Sequence, residues 1–221
     1  MVGKVVLFDT ENTLIREWKD VSQYYVEAIR NSYGLTVEVE LQKYEGFTVQ
    51  ETVYGILSKN GLSDDEIKAK LELFLQELPY AHYNVAGHDK AILVDGAKDL
   101  LSYLKGRDYV IGSASGQMER ILRNMFERAG LDYDSYFKLG AYGDSGMHIS
   151  DVIGVAIGKA KDEFSADKDQ LTFISNSKAH VDAARRLGIN AIGVITGAHS
   201  REDFGGEPVA KGLNDCRRFL K

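Results

Sequence analysis

An apolar run near the start of the chain, Lys4-Val5-Val6-Leu7-Phe8-Asp9-Thr10-Glu11-Asn12-Thr13-Leu14, ends in an aspartate, and a second carboxylate follows two residues later. A buried parallel strand that delivers an acid at its C-terminal end places it where open α/β sheets bind ligands. An ordinary strand followed by an Asp turn has the same pattern. A second segment, Val110-Ile111-Gly112-Ser113-Ala114-Ser115-Gly116, sets hydroxyls at a strand end, then small residues and a helix start. Hydroxyls and backbone N–H groups so placed make an anion cradle, assisted by the helix dipole. A Ser/Gly-rich turn with a capping serine fits the same residues.

Short apolar runs at residues 5–8, 109–112, 171–175 and 191–195 read as buried strands, with a weaker one at 136–141. Helical patterns at residues 98–104, 117–129, 149–164 and 180–187 separate them. Strands alternating with helices predict an α/β fold, a Rossmann-like parallel sheet with helices on both faces. Residues 16–90 contain almost no strand-like run. Residues 21–32, 48–58 and 64–78 read as helices, the last opened by a Ser63-x-x-Glu66 capping signature. The expected organisation is therefore an α/β core of residues 1–15 and 91–221 with an inserted all-helical cap of residues 16–90. Such a block, inserted after the first strand, sits above the strand ends as a lid; a merely decorative insertion is the alternative.

The 221 residues suffice for a core domain plus a smaller one. A net charge of −6 argues against a general nucleic-acid binder, which usually carries a basic face. Mean hydropathy is −0.25, and no apolar run approaches a membrane span or a signal segment. The single cysteine, Cys216, excludes an internal disulfide and a cysteine-based zinc site, and fits a cytoplasmic location.

Over nearly its whole length the chain resembles the haloacid dehalogenase superfamily of hydrolases, and most of all its phosphoglycolate-phosphatase-type members with a helical cap. The likeness includes Gly46 in Tyr44-Glu45-Gly46-Phe47-Thr48, the Asp95-Gly96-Ala97-Lys98-Asp99-Leu100-Leu101 segment, the 136–144 segment and the 193–202 segment. The resemblance implies that Asp9 is the nucleophile that takes up a phosphoryl group. Glu11 stands where the family has an aspartate acid/base, one methylene longer but with the same chemistry. Ser113, with Ala114 beside it, matches the phosphate-binding hydroxyl. Mg²⁺ is implied as cofactor, held by Asp9, the backbone carbonyl of Glu11 and Asn176.

Two of the family's four motifs depart from the pattern. The third normally supplies a lysine or arginine that neutralises the aspartate against the incoming phosphate. Residues 139–158 contain neither, and His148 is the one residue there able to become cationic. Two anions brought together without a cation repel strongly in a low-dielectric site. Lys178 is the leading substitute, with a solvent-facing loop lysine as the alternative. In the fourth motif, Phe173-Ile174-Ser175-Asn176-Ser177-Lys178-Ala179-His180, Asn176 stands at the metal-ligand aspartate position and His180 at the supporting aspartate. The helix that His180 heads has an apolar face, so a packing or capping role is expected of it. With one anionic ligand left, metal affinity should fall. The serine-rich text is also similar to the metal-independent dehalogenase branch.

The resulting expectation is a phosphatase acting on a small phosphomonoester, with Arg16 and Lys19 among the cap residues offered to the substrate. The alternatives are a protein of the same fold that binds a phosphorylated ligand without turnover, and hydrolysis of a carbon–halogen bond.

Overall fold

The computed structural model describes residues 4–196, 199–205 and 208–220. Strand β1 (Val5–Phe8) lies inside a six-stranded sheet with β4 (Val110–Ala114), β5 (Phe137–Ala141), β6 (Leu171–Ser175), β7 (Asn190–Val194) and β8 (Val209–Ala210). The strand order is β5-β4-β1-β6-β7-β8, and every pairing is parallel. All four residues of β1 are buried. Its alternating side chains serve two cores. Val5 and Leu7 join Phe173, Val152, Ile153 and Val181 on one face; Val6 and Phe8 join Leu100, Leu101, Leu122 and Phe126 on the other. Burial on both faces explains why β1 reads as an unbroken apolar run.

Helices α4 (Ala97–Lys105) and α5 (Glu119–Arg128) cover one face, and α6 (Ile149–Phe164) and α7 (Lys178–Arg186) the other. The Rossmann-like α/β architecture expected from the sequence is present. Strands β1 and β6 and helix α6 have the expected bounds; strands β4, β5 and β7 and helices α4, α5 and α7 shift at their ends by a residue or two.

The chain leaves the sheet through β2 (Ile15–Glu17) and returns through β3 (Ala91–Leu93), which pair antiparallel, Ile15 opposite Leu93 and Glu17 opposite Ala91. Between them lie α1 (Gln23–Tyr33), α2 (Val49–Lys59) and α3 (Asp64–Ala86). The Ser63 capping box forms: the Ser63 N–H donates to Glu66 Oε2 at 2.9 Å and the Glu66 N–H to Ser63 Oγ at 3.4 Å. Thr48 caps α2 by accepting from the Glu51 N–H at 3.1 Å. Helix α3 runs eight residues beyond the expected end at Leu78, straight through Pro79. Proline inside a helix loses a backbone hydrogen bond and costs about 3 kcal/mol. Here Ala81, His82 and Ala86 beyond it are buried, and α3 packs along α1 with the Tyr25 and Phe74 rings 5.9 Å apart and Tyr24 and His82 5.0 Å apart. That packing carries the helix past its proline.

Where the chain passes into the helices, Glu17 of β2 is gripped from two sides. Arg128 Nη1 of α5 donates to its Oε2 at 2.9 Å, and His82 Nε2 of α3 lies 3.0 Å from its Oε1. Burial alone would raise the Glu17 carboxyl, but these partners outweigh it and hold the group below its ordinary value. The residues around 45–51 dock on the core loops. The Val49 N–H donates to the Gly116 carbonyl at 2.9 Å, the Thr48 hydroxyl to the Met147 carbonyl at 2.6 Å, and Gln50 Nε2 to the Asp144 carbonyl at 3.0 Å.

Candidate active site

Asp9 follows the last residue of β1 at the C-terminal edge of the sheet, and its N–H donates to the Ile174 carbonyl of β6 at 3.0 Å. It is 4% exposed. Its two carboxylate oxygens differ in surroundings. Oδ2 accepts from the Ser175 hydroxyl at 2.9 Å and faces His180 Nδ1 at 2.9 Å. Oδ1 has one distant donor, the Ser115 hydroxyl at 3.4 Å. Ser175 ends β6 and His180 lies in the first turn of α7, so the strand–helix junction that follows β6 supplies both groups.

The turn after Asp9 is fixed from within. Asn12 adopts the left-handed conformation, φ 61°, which asparagine tolerates better than most residues. The Leu14 N–H donates to the Thr10 carbonyl at 2.9 Å. The Thr13 hydroxyl donates to Asn176 Oδ1 at 2.9 Å and accepts from the Asn176 N–H at 3.1 Å. Asn176 is thereby brought beside Asp9, with its side-chain oxygen engaged.

Glu11 projects from the same turn. Gln117 Nε2 donates to its Oε2 at 3.1 Å and lies 3.2 Å from the Tyr24 hydroxyl. The amide is oriented by the Met118 N–H, which donates to Gln117 Oε1 at 2.9 Å. Burial pushes the Glu11 carboxyl up to about 7, the Gln117 amide pulls the other way, and the charges of Asp9 and Glu17 add to the rise. Glu11 therefore titrates close to neutrality.

A cavity of about 820 Å³ opens above these residues. Asp9, Glu11, Asn176, Ser115, Gln117 and His180 line its floor; Tyr24, Tyr25, Tyr44, Phe47 and Leu93 contribute apolar wall. Arg16, Lys19 and Lys211 supply cationic groups, Lys19 being paired with Asp89. A cleft of this size with a few convergent polar groups is the usual form of a small-molecule site.

The remaining sequence candidates lie elsewhere. Ser113 is fully buried, with its Oγ 2.6 Å from Thr10 Oγ1, and Ala114 is fully buried opposite Ala141. Neither lines the cavity; Ser115, Gly116 and Gln117 do. Lys178 pairs with Asp182 one turn along α7. His148 caps α6 and sits 3.1 Å from Glu51, with its side chain 62% exposed. Neither of these two side chains reaches Asp9. The ionisable nitrogen group that does is His180, for which packing or capping is the sequence expectation. Its alignment with a metal-supporting aspartate was the available signal, but spacing alone does not tell which way its ring turns. Ser175, hidden in the apolar text of β6, gives no signal beyond its place at the strand end.

Both ring nitrogens of His180 face acceptors. Nδ1 meets Asp9 Oδ2, and Nε2 lies 2.9 Å from the carbonyl oxygen of Gly46. Burial opposes the charged ring, but the Asp9 carboxylate, the Gly46 carbonyl and Glu45 outweigh it, so the group is held above the ordinary imidazole value. Gly46 has φ +83°, and a Cβ there would stand 3.3 Å from Ser177 Oγ and 3.7 Å from His180 Nε2. Glycine permits this close approach.

The family's metal meets an unfavourable donor set. Mg²⁺ takes hard oxygen ligands, usually including one or two carboxylates. Of the implied ligand oxygens, Asp9 Oδ2 is met by two donors and Asn176 Oδ1 accepts from Thr13, which leaves Asp9 Oδ1 and the Glu11 backbone carbonyl. Among the described residues no group of three or more His, Cys, Asp or Glu side chains is arranged to hold a metal ion. Asp9 Oδ2 and Asn176 Oδ1, engaged in this way, do not fit the ion.

The family model for haloacid dehalogenase-like hydrolases matches residues 6–194. The chain belongs to that family. Among solved structures, CbbY from Rhodobacter sphaeroides, determined in complex with phosphate, superposes with a TM-score of 0.71 at 15% identity, covering 98% of this chain and 96% of that one. A predicted phosphoglycolate phosphatase from Haemophilus somnus gives a TM-score of 0.70 at 17% identity, covering 100% and 99%. A haloacid dehalogenase-like hydrolase from Streptococcus pneumoniae gives 0.67 at 16%, covering 100% and 99%. No curated protein sequence matches the chain. No helix among the described residues is long and apolar enough to cross a membrane.

Proposed function

We propose that this protein is a phosphatase that transfers the phosphoryl group of a small phosphomonoester to Asp9 and then to water. The observation that carries the reading is the asymmetric setting of Asp9. One carboxylate oxygen is held by Ser175 and His180 at 2.9 Å each, while Oδ1 is only loosely held, on a residue that lines the cavity. A nucleophile needs one oxygen anchored and the other available.

In the first step Asp9 Oδ1 attacks phosphorus. The bond to the leaving oxygen breaks, its electron pair stays on that oxygen, and the Glu11 carboxyl supplies the proton. In the second step water attacks the aspartyl-phosphate at phosphorus and gives its proton to the Glu11 carboxylate, releasing phosphate and regenerating Asp9. A carboxyl titrating near 7 is suited to giving a proton and taking one back at neutral pH. The Ser115 hydroxyl and the backbone at Gly116 and Gln117, which line the cavity, are assigned to the phosphate. Residues 16–90 act as the cap that selects the organic group, through the aromatic wall with Arg16 and Lys19.

The test is hydrolysis of a panel of phosphomonoesters by the full chain and by Asp9→Asn. Turnover is expected for the native protein, with a loss of roughly 10³-fold or more in the variant. Absence of turnover across the panel with phosphate binding retained would replace this reading with that of a ligand-binding protein.

A further inference from the structure

A site built around a divalent cation turns oxygen lone pairs inward, toward one point. The face of Asp9 that carries Oδ2 does the reverse. The Ser175 hydroxyl and the His180 Nδ1–H both aim hydrogens at that oxygen, each across 2.9 Å. The neighbouring amide oxygen, Asn176 Oδ1, is met by the Thr13 hydroxyl at 2.9 Å. An ion placed at Oδ2 would confront these hydrogens and a ring that bears positive charge.

The charge on that ring follows from its partners. A carboxylate oxygen and a backbone carbonyl oxygen both accept and neither donates. His180 spans one of each, Asp9 Oδ2 on Nδ1 and the Gly46 carbonyl on Nε2, so beside an ionised Asp9 both ring nitrogens donate. The pairing is buried, His180 at 4% exposure, where a single positive charge acts strongly on its neighbour. Lys178 and His148, the basic residues nearest in the motif text, are turned to Asp182 and Glu51.

We propose that His180 stands in for the divalent cation at this site: its imidazolium, clamped between Asp9 and the Gly46 carbonyl, is the positive charge beside the nucleophile, and the protein acts at Asp9 without a bound metal. The inference rests on the reading of Asp9 as the phosphoryl acceptor and adds where its charge is balanced. Oδ2 is neutralised and fixed, and Oδ1 is left to attack. Because Gly46 belongs to the segment that docks on the core through residues 48–50, the ring is held in place when that segment is seated. His180 is thus a positioning and charge-balancing residue.

The test uses the full chain after chelator treatment and dialysis, with two readouts. Mn²⁺ alone is titrated and followed by electron paramagnetic resonance, and turnover of p-nitrophenyl phosphate is measured with EDTA or with added Mg²⁺. The expected results are no saturable Mn²⁺ site in the native protein and no loss of turnover in EDTA. His180→Asp, verified as folded by circular dichroism, places a second carboxylate beside Asp9 and Asn176 and is expected to gain a saturable Mn²⁺ site. His180→Asn is expected to lose roughly 10²-fold in turnover that neither Mg²⁺ nor Mn²⁺ restores. A native Mn²⁺ site that Asp9→Asn abolishes, or turnover lost in EDTA and regained with Mg²⁺, would overturn the proposal. A folded His180→Asp protein that still binds no Mn²⁺ would overturn the assignment of His180 as the group that excludes the metal. Failure of every phosphomonoester to turn over would count against the phosphatase reading alone, since Mn²⁺ binding is read without catalysis.

Discussion

The side-chain amide of Gln117 donates to Glu11 Oε2 at 3.1 Å, and this is the one named contact that lowers a carboxyl otherwise raised by burial and by the charges of Asp9 and Glu17. The first step needs Glu11 protonated. With its carboxyl near 7, the rate of that step should be full at mildly acidic pH and should fall as pH rises through about 7. A pH profile of kcat/KM checks this. Glu11→Gln should remove the descending limb and lower kcat by about 10²–10⁴-fold.

Removing the amide gives a signed test of the same contact. Gln117→Leu takes away a donor that stabilises the Glu11 carboxylate, so the carboxyl should rise further and the descending limb should move to higher pH. An unchanged or acid-shifted limb would contradict the role assigned to Gln117.

Ser113 and Ser115 separate two uses of a hydroxyl. The Ser113 hydroxyl meets Thr10 in the interior, whereas Ser115 faces Asp9 and the cavity. Ser113→Ala should cost about 1 kcal/mol in denaturant unfolding, because a buried hydroxyl on Thr10 is left with a weaker partner. Ser115→Ala should leave stability nearly unchanged and raise KM. The reverse pattern would restore Ser113 as the phosphate ligand.

Gly46→Ala tests the backbone that brings the 45–51 segment to His180. A left-handed residue other than glycine costs about 1–2 kcal/mol, and the new Cβ meets Ser177 Oγ at 3.3 Å. Both effects push the carbonyl away from the His180 ring. Stability should fall by that amount in equilibrium unfolding, and turnover should fall with it.

How much of this was legible in the sequence depends on where the information lies. The run Val5–Phe8 is apolar at every position because both of its faces are covered, and β6 carries the same pattern less fully, interrupted by Thr172 and Ser175. The Ser63 box announced the start of α3, but Pro79 hid its end, since the packing on α1 that sustains the helix is not local. Strands β2 and β3 have three residues each and find each other across the whole helical insertion, so neither carries a pattern of its own. At the site, Asp9, Glu11 and Asn176 are gathered at the cavity, the grouping that the family resemblance implied. His180 was visible only as a position. Its function depends on a ring turned to meet Asp9 on one side and Gly46 on the other, and Gly46 lies far away in the chain. The choice between Ser113 and Ser115 was similarly closed to inspection, because two hydroxyls two residues apart differ only in how the strand end is turned.

The central claim is that Asp9 carries the phosphoryl group. The direct measurement is mass spectrometry of peptides from protein quenched in acid during turnover of a phosphomonoester. The account predicts one added phosphoryl mass on the peptide containing Asp9, discharged by hydroxylamine and absent in Asp9→Asn. Sustained turnover with no phosphoryl group on that peptide, together with undiminished activity of Asp9→Asn, would contradict it.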